Sequence, residues 1–181
     1  MKRGLRSRLA KYGDEEFALF LRRGFLKGAG YTDEALDRPI VGILSTASDF
    51  NPCHGTAGRL AEKVANGVRL AGGLPFVFPT ISIHEAFSFP TSMLLRNLMA
   101  MDTEEMLRAL PLDSAVLIGG CDKTIPAELM GAISADVPSI VIPVGPMLAG
   151  RHEGACLGAC TDCRRLWAAF RAGALDEAAL N

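Results

Sequence analysis

A three-layer α/β/α domain with a mainly parallel sheet is the fold that this 181-residue sequence predicts, on three observations. Four short apolar runs rich in β-branched residues, at 40–44, 76–83, 115–118 and 139–144, have the length of buried strands. Helical patterns lie between them, which makes the strands parallel and puts helices on both faces of the sheet. The chain is 49% apolar and 22% charged, enough for one real core in a soluble domain. No internal repeat, low-complexity tract or linker divides it, so residues 1–181 are read as one domain.

The elements follow in order. The start, Met1-Lys2-Arg3-Gly4-Leu5-Arg6-Ser7-Arg8, is basic like a signal or transit segment, but no apolar stretch follows it. Residues 15–27 form an amphipathic helix, and Thr32-Asp33-Glu34 up to Arg38-Pro39 is a polar connection into the first strand. Leu60, Val64 and Val68 recur at helical spacing before the second strand. Residues 93–101 are compact, apolar and helical, with Met93, Met99, Met101 and Met106 read as core or subunit contacts. Asp102 to Glu105 is read as a helix amino-terminal cap and first turn. After the third strand, Thr124-Ile125-Pro126 opens a helix over 127–134 with a capping hydroxyl and an early proline. The tail carries a helix at 161–172 with Leu166, Trp167 and Phe170 on one side, a stop at Gly173 and a short helix at 175–180.

Charge and composition exclude several classes of function. A formal net charge of −1 leaves no electrostatic footprint for nucleic acid. The apolar stretches are broken well before membrane-spanning length, and the cytoplasm is the expected compartment. Five cysteines, three of them Cys156, Cys160 and Cys163, do not form a secreted disulfide pattern. Their spacing could hold zinc with His152 as a fourth ligand, but reduced thiols near a helix start are the simpler reading.

The chemistry gathers at strand ends. Cys121-Asp122-Lys123 follows the third strand, and in open α/β sheets that edge is where ligands bind. A soft thiolate beside a hard carboxylate points to two metals, one thiophilic and one oxygen-loving. The polar loop Ser45 to His54 after the first strand ends in Cys53, and the second strand runs into His84-Glu85. Parallel neighbouring strands would put all three sets on one rim, where each group carries a desolvation cost unless paired or metal-bound. An inert thiol with a surface ion pair is the plain alternative. His54 and His84 are read as hydrogen-bonding or solvent-facing neighbours of this site rather than ligands.

Five strings occur in order: Asn51-Pro52-Cys53-His54, Ala71-Gly72-Gly73-Leu74-Pro75, Thr80-Ile81-Ser82-Ile83-His84-Glu85, Gly120-Cys121-Asp122-Lys123-Thr124-Ile125-Pro126 and Pro143-Val144-Gly145-Pro146-Met147-Leu148-Ala149-Gly150. Together they resemble the amino-terminal part of the dihydroxy-acid dehydratase and phosphogluconate dehydratase family, which includes sugar-acid dehydratases. The resemblance runs from Gly4-Leu5-Arg6-Ser7-Arg8 to Thr161-Asp162-Cys163-Arg164-Arg165 and implies a hydro-lyase that converts a 2,3-dihydroxy carboxylic acid to a 2-keto acid. It implies that Cys53 and Cys121 bind an iron-sulfur cluster, of the [2Fe–2S] rather than the [4Fe–4S] kind. It implies that Glu85, Asp122 and a carbamylated Lys123 bind Mg²⁺, with Lys123 part of the catalytic machinery. The expected partners are a small sugar acid or dihydroxy acid and, at full length, further copies of the chain, with neither nucleic acid nor membrane.

The third cluster cysteine of the family, and the domain whose serine takes the α-proton, fall beyond Asn181. The chain is therefore expected to be an amino-terminal fragment, inactive in isolation. The alternative is a non-catalytic α/β module that keeps the fold and part of the metal site. Ser82-Ile83-His84-Glu85 and Thr161-Asp162-Cys163-Arg164-Arg165 lean toward the sugar-acid branch.

Overall fold

A computed structural model describes residues 3–9, 12–145, 148–158 and 161–180. The chain divides into two compact units, Met1–Gly145 and Pro146–Asn181, each described by itself.

The first unit is a doubly wound sheet. Helix α1 (Glu15–Gly28) begins at Asp14, whose carboxylate accepts the Glu16 and Phe17 amide hydrogens at 2.9 and 3.1 Å, meeting two of the donors that a helix start leaves free. The segment expected as a polar connection contains a short helix instead, α2 (Asp33–Leu36), because the Thr32 hydroxyl caps the Ala35 amide. Strand β1 (Ile40–Ser45), α3 (Ala57–Leu70), β2 (Leu74–Pro79), α4 (Arg96–Ala109), β3 (Ser114–Gly119), α5 (Cys121–Ala135) and β4 (Ser139–Pro143) follow. The strands lie in the order β2-β1-β3-β4, every pair parallel.

Side-chain alternation separates two cores. Ile43, Val116 and Ile118 face Ala57, Ala61 and Ala65 of α3. Ile40, Leu44, Ala115 and Leu117 point the other way, onto Leu107 of α4 and Ala132 of α5. Helices therefore cover both faces, the three-layer arrangement that the sequence predicts. Burying a side chain such as the fully enclosed Leu117 contributes about 1.5–3 kcal/mol.

Three expectations need correction. The second strand stops at Pro79 rather than running to residue 83. Proline has no amide hydrogen, and beyond it the Asp102 carboxylate takes the Thr80 hydroxyl and the Ile81 amide, drawing the chain off the ladder. Asp102 to Glu105 is thus not a cap but the middle of α4, which starts at Arg96 rather than residue 93. Among the methionines, Met99 is core while Met93 and Met101 are exposed. Helix α5 begins three residues earlier than Thr124, so Cys121, Asp122 and Lys123 form its first turn rather than a loop; Thr124 is buried inside it.

The second unit holds a hairpin that the sequence pattern did not reveal, β5 (Gly150–His152) against β6 (Ala155–Leu157). Its two-residue turn is Glu153-Gly154, both at positive φ, as a tight hairpin turn requires. Helix α6 (Thr161–Arg171) and α7 (Glu177–Leu180) follow, with Trp167 and Phe170 in ring contact at 5.4 Å.

Candidate functional site

The sheet reverses its winding between β1 and β3. The chain leaves β1 for α3 on one face and leaves β3 for α5 on the other, so the two connections diverge and open a crevice at the carboxyl ends of these neighbouring strands. The β1 connection carries Cys53 on a 3-10 turn, Pro52–His54, and the β3 connection carries Cys121.

These two cysteines, far apart in sequence, come near enough for the Cys53 thiol to act on the Cys121 thiol. Partial burial, the Cys53 thiol and the Asp122 carboxylate together push the Cys121 thiol up to about 12. A Cys121 thiol so placed is hard to ionise without a cation beside it, which a thiophilic metal would supply. Cys121 itself has a left-handed backbone, φ 67°, unusual for a residue with a side chain.

The hard donors sit beside them. Lys123 Nζ donates to both Asp122 carboxylate oxygens at 3.2 Å, and its charge helps to lower the Glu85 carboxyl. The larger causes for Glu85 are hydrogen bonds from the Ser92 and Thr91 hydroxyls, Thr91 at 2.9 Å, with the Ser92 amide at 3.0 Å. Glu85 is not at the end of β2 but on a 3-10 turn, Glu85–Phe87, beyond it. Among the described residues, no three His, Cys, Asp or Glu side chains converge closely enough to hold a metal ion on their own. The donors fall instead into a soft pair, Cys53 with Cys121, and a hard group, Asp122 and Glu85 about Lys123. Donors of the first kind suit a thiophilic metal and donors of the second an oxygen-loving cation.

The two histidines differ. His54 is buried, and burial lowers its pKa despite hydrogen bonding to the Gly120 and Thr46 backbone, so the ring is held neutral. His84 is a local cap, its Nδ1 accepting the Ala86 amide hydrogen at 3.2 Å while its ring lies against Phe87.

Sequence reasoning missed Glu128. This α5 residue is 1% exposed, and neither of its carboxylate oxygens has a hydrogen-bond partner among the described residues. Burial pushes it up to about 8. It lies against the end of β3, where a Cβ on Gly119 would come within 2.6 Å of Glu128 Oε1. The only signal in the sequence was a charged residue on the apolar side of a helix. Ser92 and Thr91 were also overlooked, since hydroxyls next to a proline read as a loop.

In the second unit, Cys156 lies on β6 and Cys163 on α6, both exposed, and Cys160 lies outside the described residues. The zinc alternative with His152 needs Cys160 and so lies outside the described residues.

A parallel doubly wound domain with a thiol pair and a carboxylate–lysine group at its switch point defines a candidate metal-binding α/β domain. Residues 38–181 match the family model described as dihydroxy-acid/6-phosphogluconate dehydratase N-terminal, and the chain belongs to that family. It is 45% identical over 166 residues to L-arabonate dehydratase of Azospirillum brasilense, covering 91% of this chain and 28% of that protein. It is 46% identical over 147 residues to 6-deoxy-6-sulfo-D-gluconate dehydratase of Pseudomonas putida, covering 81% and 25%. With dihydroxy-acid dehydratase of Clostridium botulinum (strain Alaska E43 / Type E3) it shares 37% identity over 163 residues, covering 86% and 29%. The chain thus spans under a third of the length of these relatives. No helix among the described residues is long and apolar enough to cross a membrane.

Proposed function

We propose that the protein carrying this chain is a hydro-lyase that removes water from a 2,3-dihydroxy carboxylic acid of the sugar-acid kind. C2 gives up a proton, the C3 hydroxyl departs as water, and the resulting enol becomes a 2-keto acid. The observation that carries the proposal is the meeting of Cys53 and Cys121 beside Asp122, Lys123 and Glu85 at the switch point of a domain of this family. Greater identity to the two sugar-acid dehydratases than to the dihydroxy-acid enzyme favours the sugar-acid branch.

Cys53 and Cys121 supply two thiolates for an iron-sulfur cluster, preferably [2Fe–2S], and Glu85, Asp122 and Lys123 provide the donors for Mg²⁺. When bound, these groups supply a Lewis acid for the departing hydroxyl and a cationic hold on the substrate carboxylate. Lys123 joins the hard set once carbamylated, because an ammonium repels Mg²⁺ whereas a carbamate offers it anionic oxygens. Ser92 and Thr91 hold Glu85 ionised and oriented. The other ligands and the α-proton acceptor come from elsewhere in the full protein.

The test is to purify the full protein anaerobically, measure bound iron, sulfide and Mg²⁺, and assay 2-keto acid formation from a panel of pentonic, hexonic and branched dihydroxy acids. Metal-dependent turnover of a sugar acid supports the proposal. A metal-free protein, or one inert toward every acid in the panel, overturns it in favour of a non-catalytic module.

A further inference from the structure

We infer that His54 is the positioning residue of this site, the side chain that fixes the turns bearing Cys53 and Cys121 against each other; the inference rests on the reading of those cysteines as cluster ligands. His54 directly follows Cys53, yet its ring points inward and is 1% exposed. The Gly120 amide, one residue before Cys121, donates to His54 Nε2 at 3.0 Å. Nε2 also lies 3.2 Å from the Gly120 carbonyl, so the ring engages this residue in either tautomer, and Nδ1 lies 3.2 Å from the Thr46 carbonyl. Thr46 is itself tied to β3, its amide and hydroxyl both donating to the Ile118 carbonyl.

The same nitrogen lies 3.1 Å from the Ser82 hydroxyl, in the segment that leads to Glu85. Asn51 closes the group, its amide nitrogen donating to Ser82 Oγ at 3.3 Å and to the Ile83 carbonyl at 3.4 Å. One imidazole therefore touches the end of β1, the approach to Glu85 and the turn into α5. These segments carry all five candidate donors.

The neighbourhood leaves the Gly120 turn little freedom. A Cβ at Gly120 would lie 2.7 Å from Val144 Cγ2 and 3.2 Å from His54 Cδ2. The left-handed Cys121 comes next, a conformation that persists only when its surroundings over-determine it. The Gly120–His54 bond is the restraint immediately before it. A space-filling ring would pack the pocket equally well; only the nitrogens can hold the two turns in register.

The test reads the proximity of the thiols rather than turnover. The full protein, stripped of metal under argon, is equilibrated with reduced and oxidised glutathione, and the Cys53–Cys121 disulfide is quantified by peptide mapping. Each disulfide formed releases two protons and two electrons from the thiols, and one oxidised glutathione becomes two thiols. His54→Phe keeps the volume and loses both nitrogens. It is expected to lower the disulfide equilibrium constant about tenfold, with the circular dichroism spectrum unchanged. His54→Gln, whose side-chain oxygen can accept the Gly120 amide hydrogen, should recover most of that loss.

A folded His54→Phe with the parent's constant overturns the inference. Should that variant not fold, the comparison passes to His54→Gln and His54→Asn, the latter one methylene too short. Gln must then exceed Asn by about tenfold, and equal constants overturn the inference. Iron reconstitution separates this inference from the functional proposal. If thiol coupling depends on His54 but the parent takes up no iron, the positioning stands and the cluster assignment falls. If the parent loads iron and the variants couple their thiols as the parent does, the cluster assignment stands and the positioning falls.

Discussion

Cys121 and Lys123 are two residues apart in one helical turn, yet they belong to different halves of the site, and substitution should separate them. Cys121→Ser in the full protein replaces a soft donor by a hard one, so bound iron and visible absorption should fall together and turnover should vanish. Lys123→Ala leaves both thiols in place. If Lys123 is the carbamylated Mg²⁺ donor proposed above, absorption and iron content should match the parent while turnover falls at least about a hundredfold. Metal analysis and 2-keto acid assay of both variants check this. Near-normal turnover of Lys123→Ala would return that residue to a plain ion pair with Asp122.

At the scale of elements, Asp113 shows how a connection holds the sheet. Its carboxylate accepts the Ile40 amide hydrogen at 2.7 Å and the Gly4 amide hydrogen at 3.0 Å, so the residue before β3 fastens both the start of β1 and the amino-terminal turn. Arg22 of α1 adds to this by donating to the Leu5, Ser7 and Arg8 carbonyls. Asp113→Ala leaves those amides without their acceptor and should cost about 1–3 kcal/mol, seen as a lower urea midpoint with an unchanged denaturant slope. An unchanged midpoint would show that water replaces the carboxylate without loss.

The sequence made the four strands and their parallel pairing legible, because a β-branched run flanked by helical repeats has few other solutions. It also placed Cys53 and Cys121 on one rim. The misjudged boundaries have a common origin. Asp102 looks like a cap when read locally, but in the fold its carboxylate serves the distant Thr80 and Ile81 from inside α4. Thr124 looks like a cap too, yet it is buried within a helix that starts on a glycine with extended backbone and a left-handed cysteine. Such choices are made by tertiary contacts, which local residue preference does not encode. Glu128 was hidden for the same reason: nothing in its neighbours along the chain tells that both its oxygens will be enclosed.

For the molecule as a whole, Glu128 sets a dependence of stability on pH. Its carboxyl is pushed up to about 8 in the fold and returns to the ordinary value of 4.5 on unfolding. Between these values the unfolded chain has lost the proton and the folded chain still holds it. Stability is therefore greatest below about pH 4.5 as far as this group is concerned, and is lost as pH rises toward 8, by on the order of a few kcal/mol. Glu128→Gln keeps the shape without the charge. Urea unfolding at several pH values across this range should show a falling midpoint for the parent, and the variant should show a smaller fall and the higher midpoint at the alkaline end. Parallel profiles for the two proteins would mean that Glu128 is ionised, and solvated, in the fold.

The switch point also sets an order of events. Cys53 follows β1 and Cys121 follows β3, with α3, β2 and α4 intervening along the chain. The two thiols meet only after β3 has crossed over to pair with β1. A nascent chain that has released β1 and β2 alone presents a solitary thiol with no neighbour to share a metal. On the proposed reading of the two thiols as metal ligands, any metal they share can be taken up only after the sheet has closed.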